Sequence, residues 1–94
     1  MIVGYLDNRT EVFAKGEFVQ AFQGFERQGW KRLEILDAAM NLAELGALPG
    51  NRLEALKGDR AGQCAIRINR QWRICFEWPA GAAGPSNVEI VEYH

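Results

Sequence analysis

The sequence is poor in the residues that build disulfide frameworks, metal sites and membrane spans. Its two cysteines, Cys64 and Cys75, are too few for a disulfide framework, and a single histidine without closely spaced cysteines offers no zinc ligand set. No stretch approaches the ~20 apolar residues that cross a bilayer, and the N-terminus lacks the basic and apolar regions of a signal peptide. We expect a cytoplasmic protein with two free buried thiols, no metal ion, no cofactor and no membrane association.

The chain does contain enough apolar residues for one core, and its charge is unevenly distributed. Of its 94 residues, 48% are hydrophobic, which favours a single domain over residues 1–94. The formal net charge is −1, but residues 52–73 contain six basic and only two acidic side chains and therefore carry +4. The rest of the chain sums to −5. This asymmetry indicates an anionic partner for the basic segment.

The N-terminal half predicts a short strand followed by helices. Residues 2–6 are rich in strand-forming side chains and end at turn formers, so they predict a strand. A first helix is expected to begin near Thr10, with Thr10 or Asn8 as its N-cap, and to end around Gly16.

A second helical pattern runs from about residue 20 to 43. Glycine weakens a helix, so the sequence favours a break between Gly24 and Trp30. The apolar residues recur at steps of three and four, which is typical of a helix face packed on a core. The residues assigned to this core stripe are Phe18, Phe22, Phe25, Leu33, Leu36, Met40 and Ala43. A turn at residues 48–51 ends the helical half.

The C-terminal half predicts strands. Strand-like segments cover residues 52–57, 63–68, 71–78 and 87–93, separated by a turn at 58–62 and a mobile Gly-, Ala- and Pro-rich loop at 79–86. There are no internal repeats. We therefore expect one α+β domain, with a short N-terminal strand and two helices packed on a mainly antiparallel C-terminal sheet.

The register of the middle hairpin follows from the alternation of apolar and polar residues. A three-residue connection at residues 69–71 places Ile68 opposite Trp72 and Arg67 opposite Arg73, which leaves one face wholly apolar. A two-residue connection would mix apolar and polar groups on both faces. In the favoured register two arginines lie side by side on the solvent face. Like charges there are destabilising, and a polyanion across them would reverse that effect.

Several motifs of the second half stand in a characteristic order. They are NRLEALKGDR at 51–60, IRIN at 66–69, QWRICF at 71–76 and VEIVEYH at 88–94. In these segments the chain resembles the HigB-type toxins of the RelE superfamily, also called plasmid-maintenance killer proteins, whereas the N-terminal half matches them only in layout. The resemblance implies a RelE-like fold with a curved sheet and metal-independent, ribosome-dependent cleavage of translated mRNA. It also implies neutralisation by an antitoxin with a helix-turn-helix domain.

The resemblance further implies which residues act in catalysis. Lys57, Arg73, Tyr93 and His94 match positions that the family uses in or near catalysis. Glu92 stands where other members often have Asp, so the acidic role at this position is kept.

The chemistry of RNA cleavage suits these residue types. RNA carries its own nucleophile, the 2′-OH, and the protein must move two protons and stabilise charge on the phosphorane. His94 suits proton transfer because an unperturbed imidazole has a pKa of about 6.5, and Tyr93 suits orientation of the phosphate or proton donation. Glu54 stands where some family members carry a catalytic histidine and is a candidate base. The candidates for charge stabilisation are Arg73, Arg67 and Lys57, and those for RNA binding are Arg60, Arg67 and Arg70.

Two alternatives remain open at this point. A ParE-like toxin shares the fold but binds gyrase, and it is not expected to need Arg73 together with a histidine at position 94. A catalytically inactive module that keeps only antitoxin binding is favoured by Glu54 and by the acidic balance, with a sequence pI near 5.8.

Overall fold

Helices precede strands along the chain, and the computed structural model, which describes residues 1–93, packs the two groups as separate layers. The helices are α1 (Asn8–Ala14), α2 (Glu26–Ala38) and α3 (Leu42–Gly46). The strands are β1 (Glu54–Ala55), β2 (Cys64–Arg67), β3 (Trp72–Glu77) and β4 (Ser86–Glu92), paired antiparallel in the order β1-β2-β3-β4. Short 3₁₀ turns lie at Gln20–Phe22, Pro49–Asn51 and Gly58–Arg60. The predicted α+β class is confirmed, and no helix of the described chain has the length and apolar character of a membrane span.

The core lies between the helices and one face of the sheet, which we call the inner face. Its fully buried large side chains include Phe13, Phe22, Leu36, Leu45, Ile66, Ile74, Phe76 and Ile90. Alternate residues of each strand point to this face, as the period of two in the sequence requires. The outer face of the sheet therefore carries the intervening polar residues.

The N-terminal segment pairs with β4, but only over a few residues. Tyr5 and Val88 form a single parallel bridge. The Val88 N–H donates to the Gly4 carbonyl at 3.1 Å, and the Leu6 N–H donates to the Val88 carbonyl at 2.9 Å. β4 also bulges at Asn87, where φ is 50°, in its pairing with β3. The predicted strand at residues 2–6 is thus reduced to one bridge.

The predicted N-cap of α1 was wrong. Asp7 caps the helix, because its Oδ1 accepts a hydrogen bond from the Thr10 N–H at 3.3 Å. Thr10 lies inside the helix and is fully buried. Its Oγ1 accepts a hydrogen bond from the Ile90 N–H at 3.0 Å. The hydroxyl therefore fastens α1 to β4 instead of capping the helix.

The predicted core stripe is only partly correct. Phe22, Phe25, Leu33 and Leu36 are buried, whereas Phe18, Met40 and Ala43 are exposed. Phe18 lies in an irregular stretch before the first 3₁₀ turn, and Met40 lies beyond the C-cap of α2, so helical spacing does not apply to either. The break in the helical pattern falls at residues 23–25, at the beginning of the predicted interval.

Candidate functional site

The hairpin of β2 and β3 has the predicted register. Arg67 pairs directly with Arg73, and residues 68–71 connect the two strands, with the Ile68 N–H donating to the Trp72 carbonyl at 3.0 Å. The loop is closed by Asn69, whose Oδ1 accepts hydrogen bonds from the N–H groups of Gln71 at 2.8 Å and Trp72 at 3.0 Å. Two arginines therefore lie side by side on the outer face.

Arg73 is held in a fixed position on the outer face. Its Nη1 donates to the carbonyls of Asn69 at 2.6 Å and Trp72 at 3.2 Å. Its guanidinium carbon lies 4.5 Å from the centre of the Tyr93 ring, within the range of a cation–π contact. Tyr93 is anchored in turn, because its N–H donates to the Gln71 carbonyl. The structure thus brings together two residues that the sequence assigned to catalysis.

Arg67 lies at the centre of a group of four arginines, Arg52, Arg67, Arg70 and Arg73, which we call the arginine cluster. Partial burial lowers the pKa of Arg67, and the charges of Arg52, Arg73 and Arg70 lower it further. Within residues 1–93, the side chains of Arg52, Arg67 and Arg70 make no hydrogen bond or ion pair. An anion bound across the cluster would relieve this repulsion.

Arg60 is already engaged inside the protein. Its Nη1 lies 3.2 Å from Glu89 Oε1 and 3.0 Å from Gln63 Oε1. Glu89 is on β4, so Arg60 reaches from the turn after β1 across the outer face of the sheet. Between Arg60 and Glu89 lie the paired residues Ala65 of β2 and Cys75 of β3, which are small and almost fully buried. Sequence reasoning assigned Arg60 to RNA binding and missed its partner.

The two predicted catalytic acids lie on different faces of the sheet. Glu54 pairs with Ala65, so it is exposed on the outer face, one row away from the arginine cluster. Glu92 pairs with Trp72, whose ring packs against the helical layer. Glu92 therefore lies on the opposite face from Arg73, at the end of β4.

Lys57 does not lie beside Arg73. The Leu56 N–H donates to the Gln63 carbonyl at 2.9 Å, which places Lys57 five residues along the sheet from Arg67. At ~3.3 Å per residue this separation is roughly 16 Å. Lys57 is exposed and lies beyond the end of β1. His94 lies outside the described residues.

The two cysteines are free and lie on opposite faces of the sheet. Cys64 pairs with Phe76 on the inner face, and Cys75 pairs with Ala65 on the outer face. Burial raises the pKa of both thiols. Cys75 is buried as predicted, whereas Cys64 is only half-buried.

A cavity of about 570 Å³ lies on the other side of the molecule, between the N-terminal segment and α2. Tyr5, Trp30 and Asp37 are among its lining residues. Burial raises the pKa of Tyr5, and the charges of Asp37 and Glu11 add to the effect. This cavity contains none of the predicted site residues. Nowhere in the described part of the chain do three His, Cys, Asp or Glu side chains meet as a metal site requires.

The sequence of this chain matches a known protein family. The model of the family described as "RelE-like toxin of type II toxin-antitoxin system HigB" matches residues 16–94. The chain belongs to the HigB-like toxin family. The match includes α2, α3 and all four strands, so it confirms the resemblance that the C-terminal motifs indicated.

Individual relatives of this HigB-like toxin agree with the family assignment. Toxin HigB-1 of Vibrio cholerae serotype O1 is 48% identical over 54 residues, 57% of each chain. Endoribonuclease HigB of Proteus vulgaris is 38% identical over 63 residues, 67% of this chain and 65% of its own length. Both alignments span less than two thirds of the curated relatives. A YoeB/ParE toxin from Agrobacterium tumefaciens aligns over 99% of this chain and 97% of its own at a TM-score of 0.51 and 19% identity, which shows a shared fold.

Proposed function

We propose that this HigB-like toxin is a ribosome-dependent endoribonuclease that cuts translated mRNA on the outer face of its sheet. The observation that carries the proposal is the pairing of Arg67 with Arg73 beside the Tyr93 ring. Forked guanidinium donors match the oxygens of a phosphate, and these arginines lie on a surface that a strand of RNA can cross. The name of the Proteus vulgaris relative, Endoribonuclease HigB, points to the same activity.

In this proposal the RNA supplies the nucleophile and the protein supplies charge and proton transfer. Arg73 stabilises the negative charge that develops on the phosphorane, since its position is fixed by two carbonyls and by Tyr93. Tyr93 orients the scissile phosphate. His94 follows Tyr93 directly in sequence and exchanges a proton with the 2′-OH or the leaving 5′-oxygen. Because the nucleophile belongs to the substrate, this route needs neither a metal ion nor a cofactor.

The remaining candidates take supporting roles. Glu54 accepts a proton in this proposal, and its position on the outer face, beside Ala65 of β2, supports that role. Lys57 is too far along the sheet to share a phosphate with Arg73, so it binds the RNA strand at another point. Glu92 lies on the other face, so in this proposal it helps to position the C-terminal residues and does not contact the phosphate.

The proposed partners follow from the activity and the family. They are mRNA on the ribosome and a cognate antitoxin with a helix-turn-helix domain, both in the cytoplasm. Type II toxins are described together with an antitoxin, which supports the second partner. The rest of the chain sums to −5, so the net positive charge that would contact RNA is carried by residues 52–73.

Expression of the toxin in cells that lack the antitoxin, with mapping of mRNA 5′ ends, tests the proposal. We expect growth arrest and new 5′ ends within translated regions. Arg73→Ala should abolish both, because it removes the charge beside Tyr93. Arg27→Ala is the matched control, since Arg27 is exposed on α2 in the other layer. Growth arrest without new 5′ ends would contradict the proposal and favour a target such as gyrase.

A further inference from the structure

Arg52 has a backbone conformation that ordinary residues avoid. Its φ and ψ angles are 46° and 50°, in the left-handed region, where a Cβ atom makes the conformation unfavourable. A non-glycine residue stays in this region only when its surroundings impose it, and such residues are concentrated at functional sites.

The neighbouring residue explains how the conformation is imposed. Asn51 is fully buried, and its amide nitrogen donates to the Leu45 carbonyl at 3.0 Å. The Oδ1 of Asn51 accepts a hydrogen bond from Arg32 Nη1 at 2.7 Å. On the other side, Leu53 packs against the core. Arg52 is thus fixed between two anchored residues while its own side chain is exposed.

The fixed backbone brings Arg52 beside Arg67. Glu54 pairs with Ala65 in the antiparallel ladder. Arg52 lies two residues before Glu54 and Arg67 two residues after Ala65, so both arginines lie at the same end of this strand pair. Of the charged groups that lower the pKa of Arg67, Arg52 has the largest effect. Arg67 pairs with Arg73 on β3, so β2 separates Arg52 from Arg73 across the sheet.

The side-chain donors of Arg52 and Arg67 are all available, whereas Arg73 uses one of its nitrogens, Nη1, inside the protein. Arg73 gives hydrogen bonds to two carbonyls and stacks on Tyr93. Within residues 1–93, Arg52 and Arg67 make no side-chain hydrogen bond or ion pair. Two adjacent guanidinium groups without an acid between them form a binding site for a phosphate.

We propose that Arg52 and Arg67 form a second phosphate subsite, which binds a phosphodiester of the mRNA next to the scissile one. The inference rests on the proposed endoribonuclease function and adds Arg52 to the residues that contact substrate. The subsite aligns the strand and takes no part in proton transfer. Its loss therefore weakens substrate binding and leaves the chemical step intact.

Single-turnover cutting of mRNA on programmed ribosomes, measured against toxin concentration, separates the two effects. Arg52→Asn removes the charge but keeps a residue that tolerates the left-handed region, and Arg52→Lys keeps the charge. We expect Arg52→Asn to raise the half-saturating concentration about tenfold with an unchanged maximal rate. The dependence of log affinity on log salt should fall by about 0.7, the value for one phosphate of a single strand. Arg52→Lys keeps the charge but loses the forked donors, so it should keep the salt dependence and raise the half-saturating concentration less than Arg52→Asn does. The control Arg27→Gln should leave both quantities unchanged.

A neutral methylphosphonate linkage, placed in turn on either side of the scissile phosphate, identifies the bound phosphate. At the correct linkage, the methylphosphonate and Arg52→Asn should be non-additive. Additivity at every linkage would overturn the assignment to the substrate strand and point to ribosomal RNA. If Arg52→Asn had the same half-saturating concentration as the control, and cutting still required Arg73, the subsite would be wrong and the endoribonuclease function would stand. No cutting by the unaltered toxin would overturn the proposed function as well. Arg52→Gly, which relieves the backbone, replaces Arg52→Asn if the latter does not fold.

Discussion

Arg60 and Glu89 join the turn between β1 and β2 to β4, a strand that pairs with neither of those two strands. Nη1 of Arg60, in the turn after β1, lies 3.2 Å from Oε1 of Glu89 on β4. The two side chains are 42% and 20% exposed, so the pair adds at most about 1 kcal/mol to the free energy of unfolding. Its main effect is geometric, because it fixes the turn that follows Lys57 against the strand that leads to Tyr93.

The first prediction concerns this ion pair. Arg60→Gln and Glu89→Gln should each slow mRNA cutting by a similar factor, and the double variant should be no slower than either, because all three lose one contact. The salt dependence of cutting should stay that of the unaltered toxin. Kinetics at several salt concentrations check this. If Arg60→Gln alone weakens the salt dependence, Arg60 contacts RNA directly, as the sequence had suggested.

The second prediction separates the two faces of β3. Trp72 packs on Phe22 and Phe25 with ring centres 5.6 and 5.0 Å away, so Trp72→Ala should lower the free energy of unfolding by about 3 kcal/mol. Arg73→Ala should lower it by less than about 1 kcal/mol, since water replaces its bonds to two carbonyls. Urea unfolding measures both. The opposite order would mean that the faces of β3 are exchanged.

The third prediction concerns the bond between α1 and β4. Thr10→Val removes the hydroxyl that accepts the buried Ile90 N–H, so it should cost about 1–3 kcal/mol of stability. Thr10→Ser keeps the acceptor and should lose clearly less. Thermal unfolding of the pair compares them directly, and equal midpoints would show that the hydrogen bond contributes nothing.

The fourth prediction concerns pH. The pKa values of Cys64 and Cys75 are raised by burial above the usual value of about 9, so the folded protein holds these protons more tightly than the unfolded chain. Stability from this source is complete below that value and falls as the pH rises above it. Replacing Cys75 with Ala should make unfolding less dependent on pH between about 8.5 and 10. An unchanged pH profile in urea would contradict the assignment.

The fifth prediction concerns proton transfer. His94→Gln should abolish mRNA cutting and growth arrest, because general acid–base catalysis contributes about 10²–10⁴-fold. Antitoxin binding and the thermal midpoint should remain. Ribosome binding should also remain, since it depends mainly on arginine and lysine contacts to phosphate. Full toxicity of His94→Gln would assign catalysis to Glu54, Tyr93 and the arginine cluster.

The hairpin was predictable from the sequence because one physical requirement determines it. Burial of Ile66, Ile74 and Phe76 on one face leaves a single register, and that register puts Arg67 opposite Arg73. The contact between Arg73 and Tyr93 was anticipated only through the family resemblance, since no local pattern relates β3 to the end of β4.

Other features depend on contacts that are distant in sequence. The hydroxyl of Thr10 suits a helix cap, and only the position of Ile90 in the folded protein shows that it is used elsewhere. Arg60 looks like a free cation until Glu89 is placed beside it. Arg52 belongs to the basic segment, but its left-handed backbone follows from the burial of Asn51 and could not be inferred from composition.

The position of β4 between β3 and the N-terminal segment has a consequence for biosynthesis. Gly4 leaves the ribosome more than 80 residues before Val88, its hydrogen-bond partner. At about 5–20 residues per second, the segment waits several seconds without a partner. The contact of Tyr93 with Arg73 also requires β4, so a nascent chain that lacks this strand has neither the complete four-stranded sheet nor the complete site. Formation of the site therefore depends on the synthesis of β4, which follows the other three strands along the described residues.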